Sequence, residues 1–417
     1  VNATYYYCKP DIPRGLNEVE LYKKTLKGII NGKIDAYQAF IKLSIDILNE
    51  NGIGMFVLPH NFLVGKSSQS LRNYLLSKCN IELIADLSSI NVFDKVGTYT
   101  VLVVFRKKCS NELITNNKSW LLKCRSSIGE ALNHLLNKNE IETNKFQIYE
   151  AENYFKPNSE WFLLSKQEFN LLSKLNKNRF ISDFLKINQG IITGNDDVFF
   201  IDNKSLPKKE KSLYKSYLSD KEMNKFSLPD STEKYAIYPY ENGELISKEK
   251  LQKKYPKTWG YLHINFNNLN KSQKEKSGWW GLHRPRDYKL INSPKIVTPY
   301  ISITPKFSID IDGKYLTSRS PYFIPIDESI DGELLYYFLG ILNSVPCYWS
   351  LALQSQKQAS GYNIFHLHLL KKTPVPDPSL LENSSSVSKM ILTVKRRIVE
   401  KNESKKIELD QQINNIA

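Results

Sequence analysis

Cysteine is scarce in this chain. Cys8, Cys79, Cys109, Cys124 and Cys347 are the five in 417 residues, odd in number and scattered, with no CxxC pair. That excludes a disulfide framework and a thiolate zinc site, and reads as a reduced compartment. Histidine is equally thin. His60, His134, His263, His283, His366 and His368 form no HExxH or other metal-ligand spacing. His366 and His368 flank Leu367, which reads more simply as one face of a strand or loop. No apolar run reaches the roughly 18 residues a membrane span requires, and no leader peptide is visible. A cytoplasmic protein without a membrane partner is expected. Acidic residues are outnumbered, 43 against 58 basic, for a net charge of +15. Such an excess points to a polyanion, nucleic acid first. The plainer reading is a lysine-rich surface from an AT-rich genome, which the many Asn, Ile and Lys residues fit.

What is present is globular: 41% hydrophobic and 24% charged residues, in a length that accommodates two or three domains. Residues 35–49 place Tyr37, Phe40, Ile41, Ile45 and Leu48 at helical spacing, and Asn51-Gly52 follows as a left-handed stop. "IGMFVLP" then reads as a strand of a sheet covered on both faces. "SSQSLRNYLLSKC" predicts a helix capped by Ser67 or Ser68, "IELIADL" another buried strand, and "VFDKVGTYTVLVVFRKK" a turn into a β-branched strand. Helix, strand, helix, strand, strand is the closing portion of a doubly wound sheet ending in a hairpin. Residues 111–159 are polar and turn-rich and are expected as a connection. Residues 160–380 mix short strands with turns, including Asn242-Gly243 and Asp312-Gly313. Residues 381–417 read as one charged helix.

Four motifs in order over residues 35–108 resemble the C-terminal half of the γ-class amino-methylating DNA methyltransferases. This is the adenine-N6 group that includes Taq-type enzymes and fused type IIG restriction–modification proteins. The motifs are Asp35-x-Tyr37-x-x-Phe40; Gly52 with Phe56, Val57, Pro59, Phe62 and Leu63; Leu71-Arg72 with Leu75; and Val92-Phe93 with Thr98 and Lys107. "INQGIITGNDDVFFI", "PKIVTPYISITPKFSIDIDGKYLTSRSPYFI", "YYFLGILNSVPCYW" and "KTPVPDP" resemble the Taq-type specificity domain. The resemblance implies an α/β chain: a partial Rossmann-like methyltransferase sheet over 1–110, an α+β DNA target-recognition domain over 160–380, and a C-terminal helix.

The departure is as informative. The family's strand ending in F/L-x-G-x-G and its Asn-Pro-Pro-Tyr loop, both normally upstream of Asp35, do not occur in the sequence. The one Gly-x-Gly, Gly52 to Gly54, sits at a helix-to-strand turn. "SPYF" at 320–323 lacks the asparagine. The chain therefore resembles a methyltransferase without its front half. S-adenosyl-L-methionine is implied as cofactor by the resemblance, with no binding motif in the sequence. The partners implied are double-stranded DNA and the missing N-terminal half, or a separate subunit carrying it.

The resemblance makes Phe93 the aromatic that packs on a flipped adenine; a core aromatic at a strand start is the alternative. Asp35 is more simply a helix N-cap, Arg72 a surface ion-pair residue, and His60 either lines the mouth of the site or is solvent-exposed. For DNA contact, Gly190, Thr193, Gly194 and Asn195 form a tight loop that a phosphate could approach closely. Arg284 and Arg286 are next-but-one neighbours suited to reading guanine, against phosphate contact or an ion pair with Asp287. Lys295, Lys306, Lys314 and Arg319 are candidate backbone contacts. "PDSTEK" places Asp230 and Glu233 too close together for a metal nuclease. Two readings stand: the C-terminal part of an adenine-specific methyltransferase, or a DNA-recognition subunit or inactive remnant without the cofactor-binding half. An RNA-binding protein is weaker, since no RNP or KH pattern occurs.

Overall fold

The computed structural model describes every residue except 1–19, 21–23, 25, 30–34, 91, 93–98, 110–117, 127, 153, 328–329, 359–361 and 381–383. The chain divides into two compact units, residues 1–171 with 354–364, and residues 172–353 with 365–417. No described helix is long and apolar enough to cross a membrane.

The first unit is built on an open six-stranded sheet. Helix α1 (Ala36–Ile47) buries Tyr37, Ile41 and Ile45, the helically spaced residues. Gln38 Oε1 accepts from the Asp35 backbone N–H at 3.2 Å, as in a capping box. Asn51 is left-handed, φ 61°, and turns the chain into β1 (Ile53–Pro59). Helix α2 (Gln69–Lys78) follows, then β2 (Cys79–Asp86) and β3 (Thr100–Lys107). β3 lies between β1 and β2, antiparallel to both. β1 and β2 are therefore parallel, and the hairpin expected from the sequence is formed. The Ser68 hydroxyl bonds Tyr37 Oη at 2.9 Å, tying α1 to the start of α2.

Residues expected as a connection instead extend the sheet. β4 (Lys118–Cys124) pairs parallel to β2, β6 (Phe146–Glu152) pairs antiparallel to β4, and β5 (Ile141–Glu142) forms the far edge, after helix α3 (Gly129–Leu136). Leu121, Leu122, Phe146 and Ile148 are buried there. The signal was weak because only "WLL" stands out between polar flanks. The opposite edge is β1. Phe56 and Leu58 are buried, each worth roughly 1.5–3 kcal/mol, but Ile53 and Met55 are 54% and 59% exposed. β1 is thus not covered along its whole length, unlike the strand expected. No described strand other than β3 pairs with β1.

Arg72 is not a surface residue. It is 2% exposed, and its guanidinium donates to Phe62 O at 2.8 Å, Gly65 O at 3.0 Å and Ser159 O at 3.2 Å. It lies over the buried Trp161 ring. One side chain thereby locks the turn after β1 to the segment after β6. Burial depresses its pKa to about 10, with Glu160 opposing, so it stays charged at neutral pH.

The second unit holds a four-stranded antiparallel sheet and a three-stranded one. The first has β7 (Leu185–Gln189), β11 (Lys295–Val297), β12 (Ser308–Asp310) and β13 (Pro321–Pro325) in the order β12-β11-β13-β7. The second has β8 (Phe200–Asp202), β9 (Tyr214–Tyr217) and β10 (Lys234–Ile237) in the order β9-β10-β8. Asn242 and Gly243 have φ 49° and 89° in the expected tight turn. Helix α4 (Pro256–Ile264) packs on the three-stranded sheet through Leu262.

The C-terminal residues are two helices, α6 (Ser384–Val399) and α7 (Glu403–Ile416), rather than one tail. Val387, Met390, Val394 and Ile413 share a core with α5 (Leu334–Asn343). A Cβ on Gly340 of α5 would lie 2.4 Å from Met390 Sδ, so that glycine admits the closing helix. Asp410 bridges Arg397 at 2.7 Å and Lys225 at 3.1 Å.

Replacing Arg72 by alanine removes three charged hydrogen bonds and leaves buried carbonyls unpaired. A loss of about 2–4 kcal/mol in the first unit is expected, read by urea denaturation followed at Trp161.

Candidate nucleic-acid interface

Residues 190–192 form a rib between two other segments. Gly190 N–H donates to Ser320 O at 3.2 Å and Ile191 N–H to Thr317 O at 2.8 Å. On the other flank Ile192 and Arg284 exchange backbone hydrogen bonds of 3.0 and 2.8 Å. A Cβ on Gly190 would lie 2.1 Å from Thr317 O and 2.2 Å from Ser318 O. Only glycine lets the 317–320 segment approach this closely, which is the physical reason for the first glycine of "GIITGN".

The turn that follows is fixed from outside. Thr193, 1% exposed, donates its hydroxyl to Asp196 Oδ1 at 2.5 Å. Asn195 Oδ1 accepts from Asp197 N–H at 2.9 Å, and its amide donates to Asn268 O at 2.7 Å. Asn270 donates to Gly194 O at 2.6 Å. Gly194 has φ 97°, which favours glycine. The result is a cavity of ≈ 360 Å³ whose lining includes Gln189, Thr193, Gly194, Asn195, Asp196, Asn270, Ser318 and Arg319. Asp196, Ser318 and Arg319 also line a neighbouring cavity of ≈ 650 Å³, beside the stacked rings of Phe200 and Tyr217.

Seven of the ten DNA-contact candidates drawn from the sequence meet here: Gly190, Thr193, Gly194 and Asn195 on the rib and its turn, Arg284 and Arg286 along one flank, and Arg319 on the other. Arg284 and Arg319 are exposed and make no ion pair with a described residue. Arg286 differs. Its φ is 68°, a conformation costing an L residue roughly 1–3 kcal/mol and kept only where the surroundings hold it. Its Nε donates to Gly190 O at 2.9 Å. Arg284 and Arg286 are thus not equivalent positions of one extended run. Asp287 is not their ion-pair partner; its carboxylate caps the turn Tyr288–Ile291. Burial, then the Lys276 and Arg284 charges, push the His283 imidazole below its ordinary pKa, as a cationic surface would.

Three candidates lie elsewhere. Lys295 is 2% exposed and its ammonium pairs with Asp310 at 2.7 Å and donates to Ile291 O at 2.8 Å. Asp310 also accepts from Lys314 N–H and Tyr315 N–H, both at 2.9 Å. A group so enclosed supports the strands and does not reach a phosphate. Lys306, half-buried before β12, does not line the cavity, and Lys314 Nζ donates to Asp230 O at 3.2 Å. Sequence reasoning passed over Asp196, Gln189, Asn270 and Ser318. Asp196 and Ser318 adjoin candidates and were open to detection; Asn270 is 76 residues from the carbonyl it holds and gave no local signal.

In the first unit Phe93 and Thr98 lie outside the described residues. His60 Nε2 stands 3.7 Å from Asp86 Oδ2, at the carboxyl ends of parallel β1 and β2. The Gly52–Gly54 pair offers no cradle for a nucleoside cofactor: a Cβ on Gly54 would strike the Phe105 ring at 2.4 Å. The described residues do not fit S-adenosylmethionine, and no cluster among them has metal-ligand character.

A family model described as Eco57I restriction-modification methylase matches residues 7–93. The chain is 24% identical over 420 residues to the type II methyltransferase M.BanIII of Aneurinibacillus aneurinilyticus, covering 93% of this chain and 71% of that protein. It is 24% identical to M.BstVI of Geobacillus stearothermophilus, covering 90% and 67%. The chain is thus similar to type II restriction–modification methyltransferases. The restriction enzyme and methyltransferase RM.Eco57I of Escherichia coli is 21% identical, with 89% of this chain covering 40% of that protein. In fold, the chain is similar to MmeI, a type IIL restriction–modification enzyme solved in complex with DNA. The TM-score is 0.68 at 13% identity, with all of this chain matched to 53% of that one. The chain thus spans about half of that structure and two-fifths to seven-tenths of these relatives.

Gly190→Ala forces the 317–320 segment away from the rib. A destabilisation of the second unit by about 1–3 kcal/mol is expected, with weakened duplex binding, measured by thermal unfolding and fluorescence anisotropy.

Proposed function

We propose that this chain is the target-reading part, with the closing strands of the catalytic sheet, of a site-specific adenine-N6 DNA methyltransferase of a restriction–modification system. The observation that carries the reading is the convergence of Arg284, Arg286 and Arg319 on the rib at residues 190–192. Arg284 and Arg286 from one segment and Arg319, which lines the cavity, from another flank the rib in a chain of net charge +15. Arginines on such a surface serve phosphate contact and base reading together.

The exocyclic amine of adenine is a weak nucleophile, because its lone pair is delocalised into the ring. Methyl transfer needs the base out of the duplex and the amine held in line with the methyl donor. The groups that do this in the family, the Asn-Pro-Pro-Tyr loop and the Gly-rich cofactor turn, are not in this sequence. Phe93 is proposed as the opposite wall against the flipped base, where stacking is worth about 1–3 kcal/mol.

The cofactor-binding half comes from elsewhere: from further sequence of the same polypeptide or from a separate subunit. Apolar residues exposed on β1 (Ile53, Met55) and on α1 (Phe40, Leu43, Ile47) support this. The alternative is a recognition subunit or remnant that binds DNA without modifying it.

Purified chain is expected to bind duplex weakly, with affinity falling steeply with salt, and to transfer no label from methyl-labelled S-adenosylmethionine. Adding a polypeptide that carries F-x-G-x-G and Asn-Pro-Pro-Tyr, encoded upstream or in an adjacent gene, restores methylation of adenine. Label incorporated by the chain alone contradicts the proposal; binding without restored transfer favours the recognition-subunit reading.

A further inference from the structure

The three arginines on the rib are held differently, and the difference assigns them different work. We propose that Arg286 is the specificity-determining residue that reads a guanine, and that Arg284 and Arg319 hold the DNA backbone. This rests on the reading of the second unit as a DNA target-recognition module.

The guanidinium of Arg286 is fixed before any ligand arrives. Its Nε donates to Gly190 O at 2.9 Å. Gly190 is itself pressed against Thr317 and Ser318 too closely for any side chain, so the acceptor cannot drift. The backbone of Arg286 is left-handed at φ 68° and follows Pro285, whose ring fixes its own φ. With Nε occupied, Nη1 and Nη2 are the remaining donors, and they bond no other described residue. A planar fork with two free, co-oriented N–H groups matches guanine O6 and N7 in the major groove. Holding it in place beforehand removes the ordering cost that a free arginine meets on binding. A guanidinium that only neutralised a phosphate would need no such anchor, because phosphate oxygens accept from many directions. Arg284 and Arg319, exposed and without an anchoring hydrogen bond to a described residue, suit that second role.

The test is selection of bound duplexes from a randomised pool at low salt, followed by sequencing, with the full chain and with Arg286→Lys, Arg284→Ala and Arg319→Ala. Arg286→Lys keeps the charge and loses the fork. The wild-type chain is expected to enrich guanine at one position by roughly ten- to a hundred-fold. Arg286→Lys loses that enrichment while the dependence of log affinity on log salt is unchanged. Arg284→Ala and Arg319→Ala keep the enrichment and each lower the slope by about one. Circular dichroism and thermal unfolding show that each variant is folded. If Arg286→Lys keeps the enrichment, or if an Arg284 or Arg319 variant abolishes it, the assignment is wrong while the DNA-reading role survives. If the wild-type chain binds no duplex in preference to any other, the underlying reading falls and takes the assignment with it.

Discussion

Gly190 is where three stretches of chain come within hydrogen-bonding reach with no side chain between them. Its N–H holds Ser320 O, its carbonyl holds Arg286 Nε, and its Cα faces the carbonyls of Thr317 and Ser318. The next two residues continue the contact, Ile191 to Thr317 on one flank and Ile192 to Arg284 on the other. A backbone bonded on both sides behaves as a central strand, although only isolated bridges are formed. Its rigidity is transmitted to Arg286 directly and to the 317–320 segment that carries Arg319. Recognition by preset groups has a thermodynamic advantage over recognition by mobile ones, since the ordering is complete before binding.

The first unit solves a different problem. Among the described strands its sheet ends at β5 on one margin and at β1 on the other. Arg72 anchors the turn at the carboxyl end of β1 to the segment after β6 by three carbonyl contacts. A buried guanidinium with all its strong bonds to carbonyls is costly to desolvate and defines one arrangement of those segments. The exposed Ile53 and Met55 leave apolar surface on β1, which is a reason to look for a chain that covers it.

Much of the first unit was legible because its elements are long and locally consistent. Tyr37, Ile41 and Ile45 have helical spacing, and "TVLVVF" is β-branched, so periodicity and propensity agree. Two things were not legible. The strands at 118–124 and 146–152 are flanked by polar residues, and they join the sheet by pairing of β4 with β2 and of β6 with β4, which are non-local events. Arg72 reads as a surface residue in the sequence because its acceptors are backbone carbonyls, which carry no sequence signal. In the second unit, "GIITGN" and Arg284, Arg286 and Arg319 stood out by residue type, yet their convergence spans about 130 residues and only the fold reveals it. Lys295 went astray for a related reason. Its type suggests phosphate contact, and only its enclosure beside Asp310 shows a strand-supporting ion pair. The split of the C-terminus into two helices that complete a core likewise depends on Gly340, which has meaning only once α5 and α6 are seen together.

Amide hydrogen–deuterium exchange of the full chain, with and without a duplex at low salt, asks whether the rib faces DNA. Slowed exchange is expected in residues 189–196, 284–286 and 317–320, reversed by high salt. Unchanged exchange in those segments, with protection on other faces of the second unit, would contradict it.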